Sequence, residues 1–259
     1  MSDIRIYQRV VNSGSGFGST IDQGLRAYMI RVYNLMALGL GVTGIMSFLV
    51  NILATTVDPD AASIIINRGV MLTGFGALMY TSPLRWIFIF APLGVFIFLN
   101  VRLHSLSAYA AKMMFLLYSA LIGLSLSSFF LVYTSKSIVQ TFFITAASFG
   151  SLSLYGYTTK RDLGPIGSFM IMGAFGLFLL SLVNLFMRSS AIDLTMSAMG
   201  LVIFSALTAY DTQKIKEAYS DRYDVAYAER QSVIGALMLY MDFIQIFVHL
   251  LRFLGSRRD

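Results

Sequence analysis

The chain has no cysteine among its 259 residues, which excludes disulfides, thiol catalysis and cysteine-based metal sites and leaves the redox compartment open. Charge is scarce too: only 12% of the residues are Asp, Glu, Lys or Arg, against 57% apolar and 14% aromatic. That is the composition of a polytopic membrane protein. A cleavable leader is also missing from the expectation, because "MSDIRIYQRVVNSGSGFGSTIDQG" has no uninterrupted apolar core and is rich in Gly and Ser. Residues 1–30 read as a flexible polar tail, with the first helix directing insertion. Nor is there room for a soluble module. The longest polar connection, "TQKIKEAYSDRYDVAYAERQ", has 20 residues of alternating charge sign and reads as a solvated helical extension. The expectation is one membrane domain over 31–255 and a short basic tail over 256–259.

Windows of about 20 residues, the length that crosses roughly 30 Å of hydrocarbon, pick out seven spans. They run Val32–Ala54, Leu84–Val101, Ala108–Val132, Ser137–Tyr157, Leu163–Phe186, Leu194–Ala209 and Val233–Leu254. Ser63–Tyr80 is apolar but broken by Asn67, Arg68 and two glycines, which suits a re-entrant or interfacial segment better than a span.

Net charge of +6 would suggest nucleic acid in a soluble chain, but its distribution argues for a membrane topology. The tail and the connections after the second, fourth and sixth spans hold 12 of the 19 Lys and Arg residues; the other side holds 7, three of them Arg252, Arg257 and Arg258 near the C-terminus. The bias predicts a cytoplasmic N-terminus and, with seven spans, an extracytoplasmic C-terminus. Short tails and no targeting segment favour a bacterial inner membrane over an endoplasmic reticulum. Glycines within spans (Gly39, Gly41 and Gly44; Gly173 and Gly176) are expected to serve close helix packing. "GLGVTG" matches a dinucleotide fingerprint in letters only, since no strand precedes it.

Few polar groups remain inside apolar sequence, and a charge in hydrocarbon costs on the order of 3 kcal/mol or more. Asp242 stands near the middle of "GALMLYMDFIQIFVHLLRFLG"; Asp211 lies in "ALTAYDTQKIK" where the sixth span meets its charged extension. An acid at a helix C-terminus is on the wrong end of the helix dipole, so Asp211 invites a functional reading over a snorkelling one. His249 returns to the face of Asp242 about 10 Å further on, and Arg252 follows it. For these two a backbone hydrogen bond and headgroup snorkelling are sufficient structural explanations.

"AYDTQKIK" followed about 30 residues later by "ALMLYMDFIQIFVHLLRFLG" resembles the signature of the Bax inhibitor 1 family, or transmembrane Bax inhibitor motif family, with bacterial YccA- and YetJ-like members. "YSALIGLSLS" and "YGYTTKRDLGPIGSFMIMGAFGLF" support it, so the resemblance runs from about Pro83 to Gly255. It implies an all-α integral membrane fold of seven helices, the last central and wrapped by the other six, and a calcium leak gated by pH through two aspartates. On this resemblance Asp211 and Asp242 are the pH sensor and pore gate and transient calcium ligands, and Arg102 falls where relatives place an arginine that latches the first aspartate. Arg252 matches an arginine after the second motif; Gln245 stands where Asn is usual; His249 replaces a residue that is usually aliphatic, aromatic or an amide. The last three are secondary polar pore candidates. No catalytic residue and no cofactor is expected, calcium being the transported ion.

The residues themselves support a switch, because two carboxylates close together in a low-dielectric interior cannot both ionise cheaply, and their oxygens suit a hard cation. One tension stands: naive boundaries put Asp211 about 13 Å from the bilayer centre and Asp242 almost at it. Two other classes stay in view. A non-enzymatic modulator would bind a membrane complex, as the YccA branch restrains the protease FtsH, through the polar N-terminal tail. An intramembrane aspartyl protease would also use two aspartates, but presenilin-type enzymes carry Gly-x-Gly-Asp and Pro-Ala-Leu, whereas here the second acid lies in "LYMD" and no proline follows Pro165. The "SGSG" of the tail is misplaced for a rhomboid protease, and no lysine lies between Val233 and Leu254 to carry retinal.

Overall fold

The computed structural model describes residues 2–66, 70–102, 106–220 and 224–258, with side chains from residue 23 onward except those of Ile89 and Asn100. The elements are α1 (Ser2–Ala54), β1 (Thr55–Thr56), β2 (Ile64–Ile66), β3 (Val70–Leu72), α2 (Gly74–Tyr80), α3 (Arg85–Arg102), α4 (Ala108–Leu126), α5 (Phe129–Val132), α6 (Ser135–Thr158), α7 (Gly164–Met187), α8 (Ser190–Glu217) and α9 (Val225–Leu254). Their boundaries follow local chemistry. Ser107, Thr134 and Ser189 cap α4, α6 and α8 with side-chain oxygens, and Pro165 occupies the first turn of α7, where a missing N–H costs nothing. Helix α7 stops at Arg188, whose φ of 50° is left-handed, and α8 ends with Lys214 and Lys216 in its last turn, complementing the helix dipole.

Six of these helices are long and apolar enough to cross a membrane: Gln23–Ala54, Ala108–Val132, Ser135–Thr158, Gly164–Met187, Ser190–Glu217 and Val225–Leu254. A seventh crossing arises if α2 and the Arg85–Leu99 part of α3, bent by 68°, count as one span. The first apolar helix begins some nine residues before the expected Val32, so the end of the presumed tail belongs to it. The polar connection between the last two spans is largely helical, as expected, since α8 continues to Glu217 and α9 starts at Val225; residues 221–223 lie outside the described residues.

Ser63–Tyr80 is not a single helical span. Its Ile-rich part pairs as an antiparallel three-stranded sheet in the order β1-β3-β2, with Ile65 opposite Met71 and Thr55 opposite Leu72, and the remainder forms α2. Asn67 and Arg68, which prompted the re-entrant reading, lie outside the described residues. The basic tail is tied to the connection between α5 and α6. Tyr133 and Arg257 form a β-bridge, flanked by bonds from Thr134 N to Ser256 O (3.1 Å) and Arg258 N to Val132 O (2.9 Å).

Helix α9 is the most buried of the candidate spans, 61% of its apolar window lying inside the protein against 11–33% for the others. It packs chiefly against α1, α4, α6 and α8, while α3 lies mainly on α4 and α7 mainly on α8. The core consists of one side-chain cluster joining α9 to α1, α4 and α6 and a smaller one between α7 and α8.

The glycine expectation holds in part. Gly39 sits against Phe115 and Ser119 of α4, and Gly173 faces Ile203 of α8. At Gly41, Gly44 and Gly176 an added Cβ would meet nothing within 4 Å among the described residues, so close packing does not explain them. Gly41 and Gly44 instead line an apolar cavity of about 560 Å³ between α1, α6 and α9.

Candidate functional site

The motif around Asp211 is built by tight packing on three sides. At Gly156 of α6 an added Cβ would strike the backbone carbonyl of Ala209, and at Gly167 of α7 it would strike the ring of Tyr210. Thr212 Oγ1 donates to Thr208 O (2.7 Å) and meets Ser153 Oγ of α6 (2.9 Å), which in turn meets Tyr33 OH of α1 (2.5 Å). Gln213 holds the α6–α7 connection, its Oε1 accepting from Leu163 N (2.8 Å) and its Nε2 donating to Arg161 O (2.9 Å). Lys216 Nζ donates to Tyr157 O (2.8 Å). Thr212, Gln213 and Lys216 are thereby committed to α6 and the α6–α7 connection, and Asp211 faces α9.

On α9 the register is fixed by the two aromatic residues on either side of Asp242. Tyr240, fully buried, sets its ring edge-on against Phe115 and Tyr118. Its hydroxyl meets Thr43 Oγ1 at 2.6 Å; since Thr43 donates to the carbonyls of Ser119 and Gly39, the tyrosine is the donor of that bond. Phe243 packs between Phe142 and Phe149 of α6. With these faces anchored to α1, α4 and α6, Asp242 is turned onto α8, only 5% exposed.

There the two carboxyl groups meet within hydrogen-bonding reach. The axial tension is resolved by an offset between the helices. Gly200 of α8 lies under the His249 ring and Ile215 lies against Gly235, so the pair runs antiparallel, and the residue opposite the middle of α8 sits about seven positions, or roughly 10 Å, past the middle of α9. Among the described residues no donor group reaches Asp242 Oδ2. The cation beside Asp211 is Lys214, one turn further along α8, its ammonium 5.6 Å from the centre of the Tyr210 ring.

Arg102 stands exposed at the C-terminal end of α3, and among the described residues no ion pair between it and Asp211 is seen; the ion pair seen between α1 and α9 is Arg31–Glu229, at 3.7 Å. Gln245, His249 and Arg252 are brought together around a cavity of about 310 Å³ with residues of α7 and α8. Arg252 also lines a second cavity of about 700 Å³ with Arg188, Asp193 and Arg257. Lys214 and the Tyr33–Ser153–Thr212 chain escaped sequence reasoning, the first because it looked like part of a solvated charge run, the second because isolated hydroxyls in apolar helices carry no pattern.

No group of three or more His, Cys, Asp or Glu side chains comes together among the described residues. A hard cation at the carboxylate pair would therefore complete its oxygen shell from hydroxyls, carbonyls or water. Paired carboxyls also have the geometry an acid dyad needs, but the sequence around Asp242 remains unlike that of the aspartyl proteases.

Residues 25–259 match the family model described as inhibitor of apoptosis-promoting Bax1. The Rickettsia prowazekii protein RP147 is 42% identical over 240 residues, covering 93% of this chain and 94% of its own. The Escherichia coli K12 inner membrane protein YbhL is 40% identical over 237 residues, 91% of this chain and 94% of its own. A Caulobacter vibrioides protein is 38% identical over 244 residues. With both aspartate motifs inside the matched region and the apolar helices to carry them, the chain is a membrane protein that belongs to the Bax inhibitor family.

Proposed function

We propose that the protein is a pH-sensitive calcium leak of a bacterial inner membrane, gated by the Asp211–Asp242 pair and without enzymatic activity. The observation that carries the reading is the meeting of two carboxyl groups inside the bundle, on helices in contact along their length. Such a pair is held together by a proton or a cation between the oxygens and pushed apart when both are charged and bare. Protons and calcium compete for the same oxygens, which couples passage of one to the concentration of the other.

The orientation that goes with this reading has seven spans and a cytoplasmic N-terminus. Helix α3 supports it, because the chain must return from the end where Thr73 N bonds Ala54 O to the end where Arg230 bonds Leu106 O (3.3 Å), and 18 residues of helix reach about 27 Å. The name of the inner membrane protein YbhL supports the location.

Purified protein in liposomes loaded with a calcium indicator tests the gate. Wild type is expected to show flux that changes between about pH 6 and 8, and Asp211→Asn and Asp242→Asn each to flatten that change by removing one partner of a coupled titration. Wild-type pH curves in both variants would remove the pair from the mechanism. Flux absent at every pH would instead favour the modulator reading, with an FtsH-like membrane protease as the partner to test.

A further inference from the structure

Three arginines from separate segments converge on one cavity at the end of the bundle that carries the C-terminal tail. Arg188 at the end of α7, Arg252 in the last turn of α9 and Arg257 of the tail line a volume of about 700 Å³, within the roughly 300–1,000 Å³ that small-molecule sites occupy. Among the described residues Asp193 of α8 is the one acid lining it, so two positive charges are left over. No carboxylate among the described residues pairs with any of the three guanidinium groups.

The backbone that carries these side chains is held in place. Arg257 is bridged to Tyr133, and Ser256 N donates to Ser137 Oγ of α6 (3.0 Å). On the other side buried Asn184 clamps the turn from α7 to α8, its Oδ1 accepting from Ser189 N (3.0 Å) and its Nδ2 donating to Asp193 Oδ1 (2.7 Å). Within that turn Arg188 has φ 50° and ψ 37°, a conformation that glycine adopts freely and a long side chain resists. An arginine there complements the end of the α7 dipole, which would suffice if α7 were its only neighbour. The cavity also takes in Ser190 and Ala191 at the start of α8, whose amides have no intrahelical carbonyl to reach and whose end of the dipole is positive. Guanidinium groups gathered against that end repel it and one another unless an anion lies between them.

We propose that this pocket is a binding site for a phosphate group, gripped by Arg188, Arg252 and Arg257. The planar fork of a guanidinium matches two phosphate oxygens at once, and three forks from three segments surround the group. The neighbouring surface points to a lipid headgroup as the source of that phosphate. Phe186 and Met187, just before Arg188, and Phe253 and Leu254, just after Arg252, are exposed, so the arginines stand where a lipid-facing apolar surface ends. An anionic phospholipid would set its phosphate in the pocket and its chains along those side chains. The site is independent of the carboxylate pair and of any leak.

The purified full-length protein in a non-ionic detergent is titrated with short-chain phosphatidylglycerol, short-chain phosphatidylcholine or inorganic phosphate, with binding read by native mass spectrometry and stability by thermal unfolding. Phosphatidylglycerol is expected to bind and raise the unfolding midpoint, and phosphatidylcholine, which brings its own cation, to bind on the order of tenfold more weakly. Arg188→Gly frees the backbone at a left-handed position, so it is expected to raise the midpoint of the lipid-free protein while weakening phosphatidylglycerol binding on the order of tenfold. A purely structural Arg188 would leave that affinity unmoved. Arg257→Gln is expected to weaken binding similarly, and Lys136→Gln, which removes an exposed charge at the same end outside the cavity, to leave it unchanged. Inorganic phosphate that displaces the lipid at comparable concentration would support the site with the free anion as its source. Unchanged affinity in both arginine variants, or an equal loss in Lys136→Gln, overturns the proposal. So does binding that emerges only in Asp259→Ala, since the tail's own acid would then be the occupant.

Discussion

Lys214 stands one turn beyond Asp211 and is a cation that acts on it, whereas the family resemblance gives that role to Arg102. A neighbouring cation favours a charged carboxylate, so its removal lets the pair hold its proton to higher pH. Lys214→Gln is therefore expected to move the flux–pH midpoint upward by about half a pH unit, the scale of a partly exposed charge–charge interaction worth under about 1 kcal/mol. Arg102→Ala is expected to leave the midpoint where it is. Flux titrations of the two variants decide which residue holds the aspartate, and a shift in Arg102→Ala alone would restore the latch implied by the family resemblance.

At the scale of the element, the glycines divide by what faces them. Gly156 abuts the backbone of Ala209, which has no rotamer to yield, so Gly156→Ala must push α8 off α6 and is expected to cost about 1–3 kcal/mol. Gly41→Ala and Gly44→Ala have open space and are expected to be neutral or to gain up to about 1 kcal/mol from helix propensity. Thermal unfolding in detergent checks this, and equal losses at all three sites would mean that the groove beside Gly41 is closed by something in the membrane. The same contrast explains what could be read from the sequence. Apolar runs and isolated acids are local signals, so the helices and the two aspartates were legible. Their meeting was not, because it depends on an offset set by Gly200 against His249 and Gly235 against Ile215, contacts between residues 20 or more positions apart. The sheet was hidden by averaging: within a 20-residue window "SIIINRGVML" is merely apolar, although three isoleucines before an Asn-Arg-Gly step are a hairpin signal when read at strand length.

For the whole molecule, the contacts show which ends are tied together. Arg31 with Glu229, Lys216 with Tyr157 and Arg230 with Leu106 gather the beginning of the apolar part of α1, the start of α9, the ends of α6 and α8 and the α3–α4 connection at one end. The bridge of Tyr133 to Arg257 gathers the α5–α6 connection and the C-terminus at the other. Basic residues crowd the first end, so the orientation proposed above, with that end in the cytoplasm, is the one the positive-inside rule favours. The absence of native cysteine makes this directly measurable. Single substitutions Lys160→Cys, Asp58→Cys and Ser256→Cys sit at exposed positions. In intact cells an impermeant maleimide is expected to label Asp58→Cys and Ser256→Cys but to reach Lys160→Cys only after lysis. Labelling of Lys160→Cys in intact cells would invert the topology, and protection of Ser256→Cys together with labelling of Asp58→Cys would mean that the chain crosses the bilayer an even number of times.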